Sequence, residues 1–387
     1  MFGLRHERNL IFKDVEMFYF LNISYTPNTA STNRLLGYYS AFDNLGIKAT
    51  IVYLIPDSEK HRMEKKYKNI NVMYYWGGAF HNSTVFRFFL FRWNLLRFVH
   101  SLKEGDIVYT YGINYCTKIL VSYPKIKTFA EITEHPSILD SGKTTAILES
   151  QKYEVAKKLD RLFVISTALK ELFISNGVRE SNIQIVNMIV DPSRFENLIK
   201  QRTQDRYIAY CGNASNNKDG VDKLLKAFRI VSQTHPEIKL YVIGKAPSKD
   251  VAGNYKLAEK LGVIDKVVFT GMIPACEIPL ILKNAEVLLL NRPDSRQATF
   301  GFPTKLGEYL LTENPVVVTK VGDIPKFLKD GESALLASPF DDQEFASKIC
   351  WLLDNPSSAV EIGKKGKDVA LKYFDSLVES TKIIANF

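Results

Sequence analysis

Short apolar runs punctuate the chain at regular intervals, separated by amphipathic or polar stretches. Residues 17–24 (MFYFLNIS) and 48–55 (KATIVYLI) read as strands, and a helix over 33–46, closed by Gly46, lies between them. Further strands are expected at 71–75, 106–111, 127–132, 161–166 and 183–186, with a helix at 167–175. The alternation then repeats. Strands are expected at 206–212, 239–245, 266–271, 286–291 and 314–320, with helices at 221–234 and near 255–261. Runs this apolar, joined by helices, belong to parallel strands buried on both faces. The pattern predicts an α/β fold of two doubly wound, Rossmann-like domains, with ligands at the carboxyl ends of the strands in the cleft between them. The polar stretch 196–205 (ENLIKQRTQD) is the expected linker, so the first domain is expected at 1–198 and the second at 199–365.

Composition narrows the class. A length of 387 residues suits about two domains. With 46% hydrophobic and 24% charged residues, disorder, collagen and coiled coil are excluded as the main state. No apolar run approaches the ~20 residues that a membrane-spanning helix needs. The first twenty residues are too interrupted by charge for a secretory signal. Cys116, Cys211, Cys276 and Cys350 are far apart and form no Cys-x-x-Cys or Cys/His cluster, so neither a zinc site nor a disulfide framework is expected. That points to a reducing, cytoplasmic compartment. The net charge of +9 is concentrated, since residues 60–103 carry nine basic side chains and one acid, Glu64. Such a patch attracts phosphate, nucleic acid or an anionic membrane surface. No recognition module accompanies it, which disfavours nucleic acid.

Candidate chemistry concentrates at Gly301-Phe302-Pro303-Thr304-Lys305-Leu306-Gly307-Glu308. Pro303 suits the first turn of a helix running toward Leu311. Gly301 lets backbone approach a ligand, and the amides at the helix start would face an anion such as phosphate. Glu308 is placed to accept two hydrogen bonds from a ribose diol. The same residues also suit an ordinary Pro-capped helix with a surface Glu.

The segment resembles the donor-site motif of retaining glycosyltransferases of family 4, the group 1 family, whose architecture is GT-B. That motif is Glu-Gly-Phe with a second Glu eight positions after the first. Glu308 matches the second Glu, which in the family holds the nucleotide ribose, and the first falls on Phe300. Residues 210–221 (YCGNASNNKDGV) resemble the family's Gly-Arg and Lys-Gly diphosphate grip. Gly212 and Lys218 match, while Asn213 stands where Arg is common. Phe269-Thr270-Gly271-Met272-Ile273 resembles the loop that meets the nucleobase, although Met272 and Ile273 suit plain core equally. The resemblance implies that Gly212, Asn213, Met272, Ile273 and Gly301–Leu306 bind the donor, with Lys218 and Glu308 as the catalytic pair. It also implies that a helix over 366–387 packs back on the first domain.

The first half offers weaker signals. Residues 25–34, small and polar, lead from a strand into a helix, where the family has a loop near donor phosphate and acceptor. Thr32 and Arg34 are the acceptor candidates there, and a first-turn surface Arg is the alternative for Arg34. Thr133, Glu134 and His135 follow another strand and become acceptor candidates by the same resemblance, with helix capping as the alternative. Residues 86–100 set Arg87, Arg92 and Arg97 among aromatics, as in a helix lying on an anionic bilayer, or a core helix with solvated arginines.

There is no Asp-x-Asp motif, no P-loop, no Gly-x-Gly-x-x-Gly after the first strand and no Gly-x-Ser-x-Gly elbow. A metal-clamped donor, a kinase, a nicotinamide enzyme and a serine hydrolase are therefore not expected. The expected activity is transfer of a sugar, with retention, from a nucleotide diphosphate sugar to a glycan or lipid-linked acceptor in cell-surface polysaccharide synthesis. No metal and no resident cofactor are expected, and the nucleotide sugar enters as substrate. A GT-B nucleotide-sugar epimerase and a non-catalytic binding subunit are the alternatives.

Overall fold

A computed structural model describes residues 17–27, 29–55, 66–75, 84–137, 146–245 and 247–387. The chain divides into two compact units, one ending at Asn187 and regaining Ser376–Phe387, the other spanning Met188–Asp375.

Among the described residues the first unit holds seven strands: β1 (Phe18–Asn22), β2 (Ala49–Tyr53), β3 (Ile70–Tyr74), β4 (Ile107–Tyr111), β5 (Lys127–Ile132), β6 (Arg161–Val164) and β7 (Ile183–Ile185). They pair in parallel in the order β3-β2-β1-β4-β5-β6-β7. The order reverses at β1/β4, where a doubly wound sheet opens its crevice. Aromatic rings fill the core. Phe18 lies 4.9 Å from Phe20 and 5.2 Å from Phe42, and Phe129 lies 5.7 Å from Phe163.

The second unit repeats the plan with β8 (Arg206–Cys211), β9 (Ile238–Ile243), β10 (Val267–Gly271), β11 (Leu288–Leu290), β12 (Val316–Thr319) and β13 (Leu335–Ala337). The order is β10-β9-β8-β11-β12-β13, again parallel, with the reversal at β8/β11. Every residue of β11 and β12 is buried, as their unbroken apolar sequences require. The three-residue β13 and the helices Tyr115–Leu120, Ala146–Ala156 and Asp342–Asp354 were not expected from the pattern.

The division falls after Asn187, upstream of the polar stretch expected as linker. Met188 and Val190 lean on helix Thr304–Leu311, where Gly307 leaves no room for a Cβ against their side chains. The Val190 amide donates to Phe374 O at 2.8 Å. The C-terminal helix expected as one piece is broken. Pro356–Tyr373 belongs to the second unit and Ser376–Ile384 to the first. In that last helix the buried Glu379 accepts from the Asn187 amide at 2.6 Å. Beyond it, Phe387 stacks on Phe18 at 4.8 Å, and Asn386 donates to Gln184 at 2.7 Å. Removal of 376–387 is expected to destabilise the first unit by at least about 3 kcal/mol, the scale of one lost aromatic contact set. Hydrogen exchange would show β1 and helix Ala30–Asn44 losing protection while β8–β12 keep theirs.

Candidate donor site in the second unit

The site builds outward from the end of β8. After Cys211 the chain turns through Gly212 and Asn213 into a short helix, Asn216–Asp219, then through Gly220 into helix Val221–Thr234. Gly220 has φ +64° and faces the carbonyl of Asn291, so a side chain there meets both strain and a clash. This closeness seats the Lys218–Asp219 segment against the end of β11. Gly212 is constrained from the other side, since a Cβ there would strike Lys305 Nζ.

Lys305, in the first turn of helix Thr304–Leu311, reaches this point. Its Nζ lies 2.8 Å from Asp219 Oδ2 and donates to the Tyr210 hydroxyl at 3.0 Å. The Tyr210 hydroxyl donates to Asp219 Oδ2 at 2.7 Å, and the ammonium lies 4.8 Å from the Tyr210 ring centroid. Asp219 is buried, so its charge is held by pairing. Burial pulls the Lys305 ammonium below the usual lysine range, and the positive charges of Arg292 and Lys218 add to the fall against the pull of Asp219. Lys305 pairs with this carboxylate at the β8/β11 reversal, and Arg292 and Lys218 lie close enough to act on its ammonium. An added anion would relieve their mutual repulsion.

A cavity of about 500 Å³ adjoins this cluster, lined by Gly212, Asn213, Gly244, Met272, Ile273 and Ile278 among others. It lies at the carboxyl ends of β8, β9 and β10, where the fold places ligands. Cys211 is in its wall. Burial pushes that thiol up to about 12; Glu308 raises it too, while Lys305 and Arg194 oppose. Glu308 forms an ion pair with Arg194 through Oε1.

The donor candidates therefore separate. Gly212, Asn213, Met272 and Ile273 line the cavity, and Lys218 and Lys305 share the cation cluster. Thr304 is exposed at the helix start. Phe302 and Leu306 do not present side chains to a ligand. Phe302 packs on Phe327 and Phe374 at 5.6 and 5.4 Å, and Leu306 is fully buried. Pro303 is buried and precedes the helix as its N-cap, outside the first turn. The Gly301 and Leu306 amides already donate to Gln297 O and Pro303 O.

The acceptor candidates, all in the first unit, are committed to the protein. Arg34 is buried and not on the surface, with Nη2 2.6 Å from Glu131 Oε1 and 3.0 Å from Val186 O. Glu131 also accepts from Tyr38 at 2.9 Å and from Tyr109. Thr32 donates to Thr26 O at 2.6 Å, in the turn that caps helix Ala30–Asn44. Thr133 bonds Tyr111 at 2.7 Å, and the buried His135 bonds Ser137 at 2.8 Å while facing Glu149 at 3.8 Å. Glu134 is half-buried beside them.

Arg194, Arg292, Tyr210 and Asp219 were not singled out from sequence. Asp219 stands between the chosen Lys218 and Gly220. The Arg194–Glu308 pairing spans 114 residues and leaves no local signal.

Residues 205–355 match the family described as glycosyl transferases group 1. The chain is 26% identical over 183 residues to mannosylfructose-phosphate synthase of Agrobacterium fabrum, covering 43% of this chain and 39% of that protein. It is 26% identical over 229 residues to MMP alpha-(1->4)-mannosyltransferase of Mycolicibacterium hassiacum, covering 59% and 53%. The matches thus span about two fifths to half the length of these two relatives. Among solved structures, Anabaena HepE in complex with UDP superposes with TM-score 0.73 at 16% identity, covering 95% of this chain and 98% of that one. A sucrose-phosphate synthase from Thermosynechococcus elongatus gives 0.73 at 13%, covering 95% and 97%. The fold is GT-B, as the family resemblance implied, and its two doubly wound sheets are those the alternation of strands and helices predicted.

No helix among the described residues is long and apolar enough to cross a membrane. Replacing Arg34 by Ala leaves Glu131 buried and uncompensated. Urea unfolding is expected to show a loss of about 3–5 kcal/mol. Arg34→Lys should recover little of it, because an ammonium lacks the guanidinium fork. A loss near zero would return Arg34 to the surface role.

Proposed function

We propose that the chain transfers a glycosyl group from a nucleotide diphosphate sugar to a hydroxyl of a glycan or lipid-linked acceptor. The observation that carries this is the Lys305–Tyr210–Asp219 cluster, with Lys218 and Arg292 near it, beside a cavity of about 500 Å³ at the strand ends. UDP in the HepE structure is in keeping with it. In the reaction, the bond from the anomeric carbon to the diphosphate oxygen breaks and a bond to the acceptor oxygen forms. The acceptor proton leaves with the departing phosphate. Negative charge grows on that phosphate, and the preorganised cations stabilise it, which lowers the barrier electrostatically. Glu308 holds the ribose. Retention at the anomeric carbon and a role in cell-surface polysaccharide synthesis follow the family resemblance.

The test is thermal stability with UDP, GDP, ADP or CMP, each with and without magnesium. One diphosphate is expected to stabilise the protein, by about 2.7 kcal/mol at a hundredfold excess over Kd. Metal should not change this, and Glu308→Ala and Lys218→Ala should reduce it. No stabilisation by any of them overturns the donor site. Binding of nucleotide sugar without turnover on any acceptor would favour the non-catalytic subunit, and donor conversion without acceptor the epimerase.

A lipid-linked acceptor is supported by helix Thr84–Ser101. Its inner face buries Leu90, Leu95, Phe98 and Val99, while Phe88, Phe89 and Trp93 are 54%, 65% and 64% exposed. Arg92 lies 5.3 Å from the Phe88 ring and 5.2 Å from the Tyr115 ring. Aromatics interleaved with arginines fit the headgroup region of an anionic bilayer, and a helix buried among core residues would not expose them. The rest of the basic segment includes residues 60–65 and 76–83, which lie outside the described residues. Phosphatidylglycerol vesicles are expected to co-sediment the protein in low salt, and phosphatidylcholine vesicles are not. Phe89→Ala with Trp93→Ala should lower the bound fraction several-fold, and no change would remove the membrane contact.

A further inference from the structure

We infer that Arg194 is the positioning residue for Glu308, so that selectivity for a ribose over a deoxyribose depends on a side chain outside the donor motif. The inference rests on the proposal that Glu308 holds the ribose.

Arg194 belongs to a single turn, Pro192–Phe195, that follows the crossover into the second unit. The turn is held at its start, where Asp191 accepts from the Ser193 amide at 3.0 Å and from the Ser193 hydroxyl at 2.6 Å. From there the guanidinium bridges a helix and a loop. Nη1 holds Glu308 Oε1 on helix Thr304–Leu311, and Nη2 reaches Ala275 O at 3.4 Å. Ala275 lies on the loop after β10, just past Met272 and Ile273 in the cavity wall. The turn also contacts helix Ile278–Asn284, which contributes Ile278 to the same wall. Arg194 thus ties the carboxylate to the loop that borders the cavity.

The geometry uses one carboxylate oxygen and leaves the other. Among the described residues the hydrogen bond Glu308 makes runs through Oε1 alone, and the side chain is 26% exposed. A glutamate on a helix surface otherwise samples several rotamers, each a different placement of Oε2. A guanidinium on Oε1 selects one of them, so Oε2 is presented to a diol in a fixed direction. A charged acceptor of this kind contributes about tenfold or more in affinity for each hydroxyl it holds. Without Arg194 the carboxylate remains but must be ordered by the ligand itself, and that gain shrinks.

The test is titration calorimetry with UDP, GDP and ADP, each against its 2′-deoxy counterpart. Wild type is expected to bind the ribonucleotide about tenfold tighter than the deoxynucleotide. Arg194→Ala should cut that preference to about twofold while leaving deoxynucleotide affinity unchanged. Arg194→Lys should restore part of it, and Glu308→Ala should abolish it with no further loss in the double variant. Arg194 is on the surface, and an unchanged melting temperature would confirm that the variants fold. If Arg194→Ala keeps the full preference while Glu308→Ala loses it, Arg194 does not position Glu308 and the donor site stands. A stronger preference in Arg194→Ala would mean that Arg194 competes with the ribose, which also overturns the inference. A wild type that does not distinguish ribose from deoxyribose overturns the ribose role of Glu308 and the inference with it.

Discussion

A parallel strand buried on both faces holds a charge along its length only where fixed partners satisfy it, and otherwise places it beyond its ends. β11 and β12 are wholly buried, and β8 turns polar only past Tyr210. One buried ionic cluster of the second unit lies where β8 and β11 stop, at the reversal of strand order. Lys305 and Asp219 pair there, with Lys218 and Arg292 near the lysine, because helices and loops converge on the strand ends. The glycines follow from the same crowding. Gly220 and Gly212 are the points where backbone must pass close to Asn291 and to Lys305.

Two buried carboxylates show how the same physics yields different outcomes. Glu131 sits inside β5 itself and takes hydrogen bonds from Arg34, Tyr38 and Tyr109, all of them buried. It is saturated by fixed partners and contributes to the specificity of the first unit's core. Asp219 sits past a strand end with a tyrosine and one lysine, while two further cations lie near that lysine. Several positive charges act on one another there, and an anionic ligand at that point would be attracted to them. The difference lies in position relative to the sheet, since both motifs are an acid beside a base and a phenol.

Legibility followed the length scale of each interaction. Most strands were readable because burial on both faces imprints a continuous apolar run, and the helix at 304–311 was readable from Pro303 and the residues that follow. The three-residue β13 was not, since three apolar residues do not stand out from a loop. Arg34 read as an acceptor contact or a first-turn surface residue because a small, polar segment leads up to it. Its partner Glu131 lies 97 residues away, and nothing local announces the pairing. Phe302 and Leu306 read as site residues by adjacency to Gly301 and Lys305, but consecutive residues on a helix point in different directions. Lys305 turns to the cation cluster while Leu306 turns to the core.

By itself, then, the sequence determined the α/β class, the twofold repetition of the sheet plan and the segments from which a donor site would be built. These are written in local patterns: apolar runs, glycines at turns, a proline before a helix. The tertiary structure alone decided which charges meet. It gave Glu308 to Arg194, Lys305 to Asp219 and Arg34 to Glu131, across 114, 86 and 97 residues respectively. A charge carries no mark of its partner along the chain. Whether it serves a core, a site or the solvent is settled by how much water folding leaves around it and by which opposite charge remains within reach.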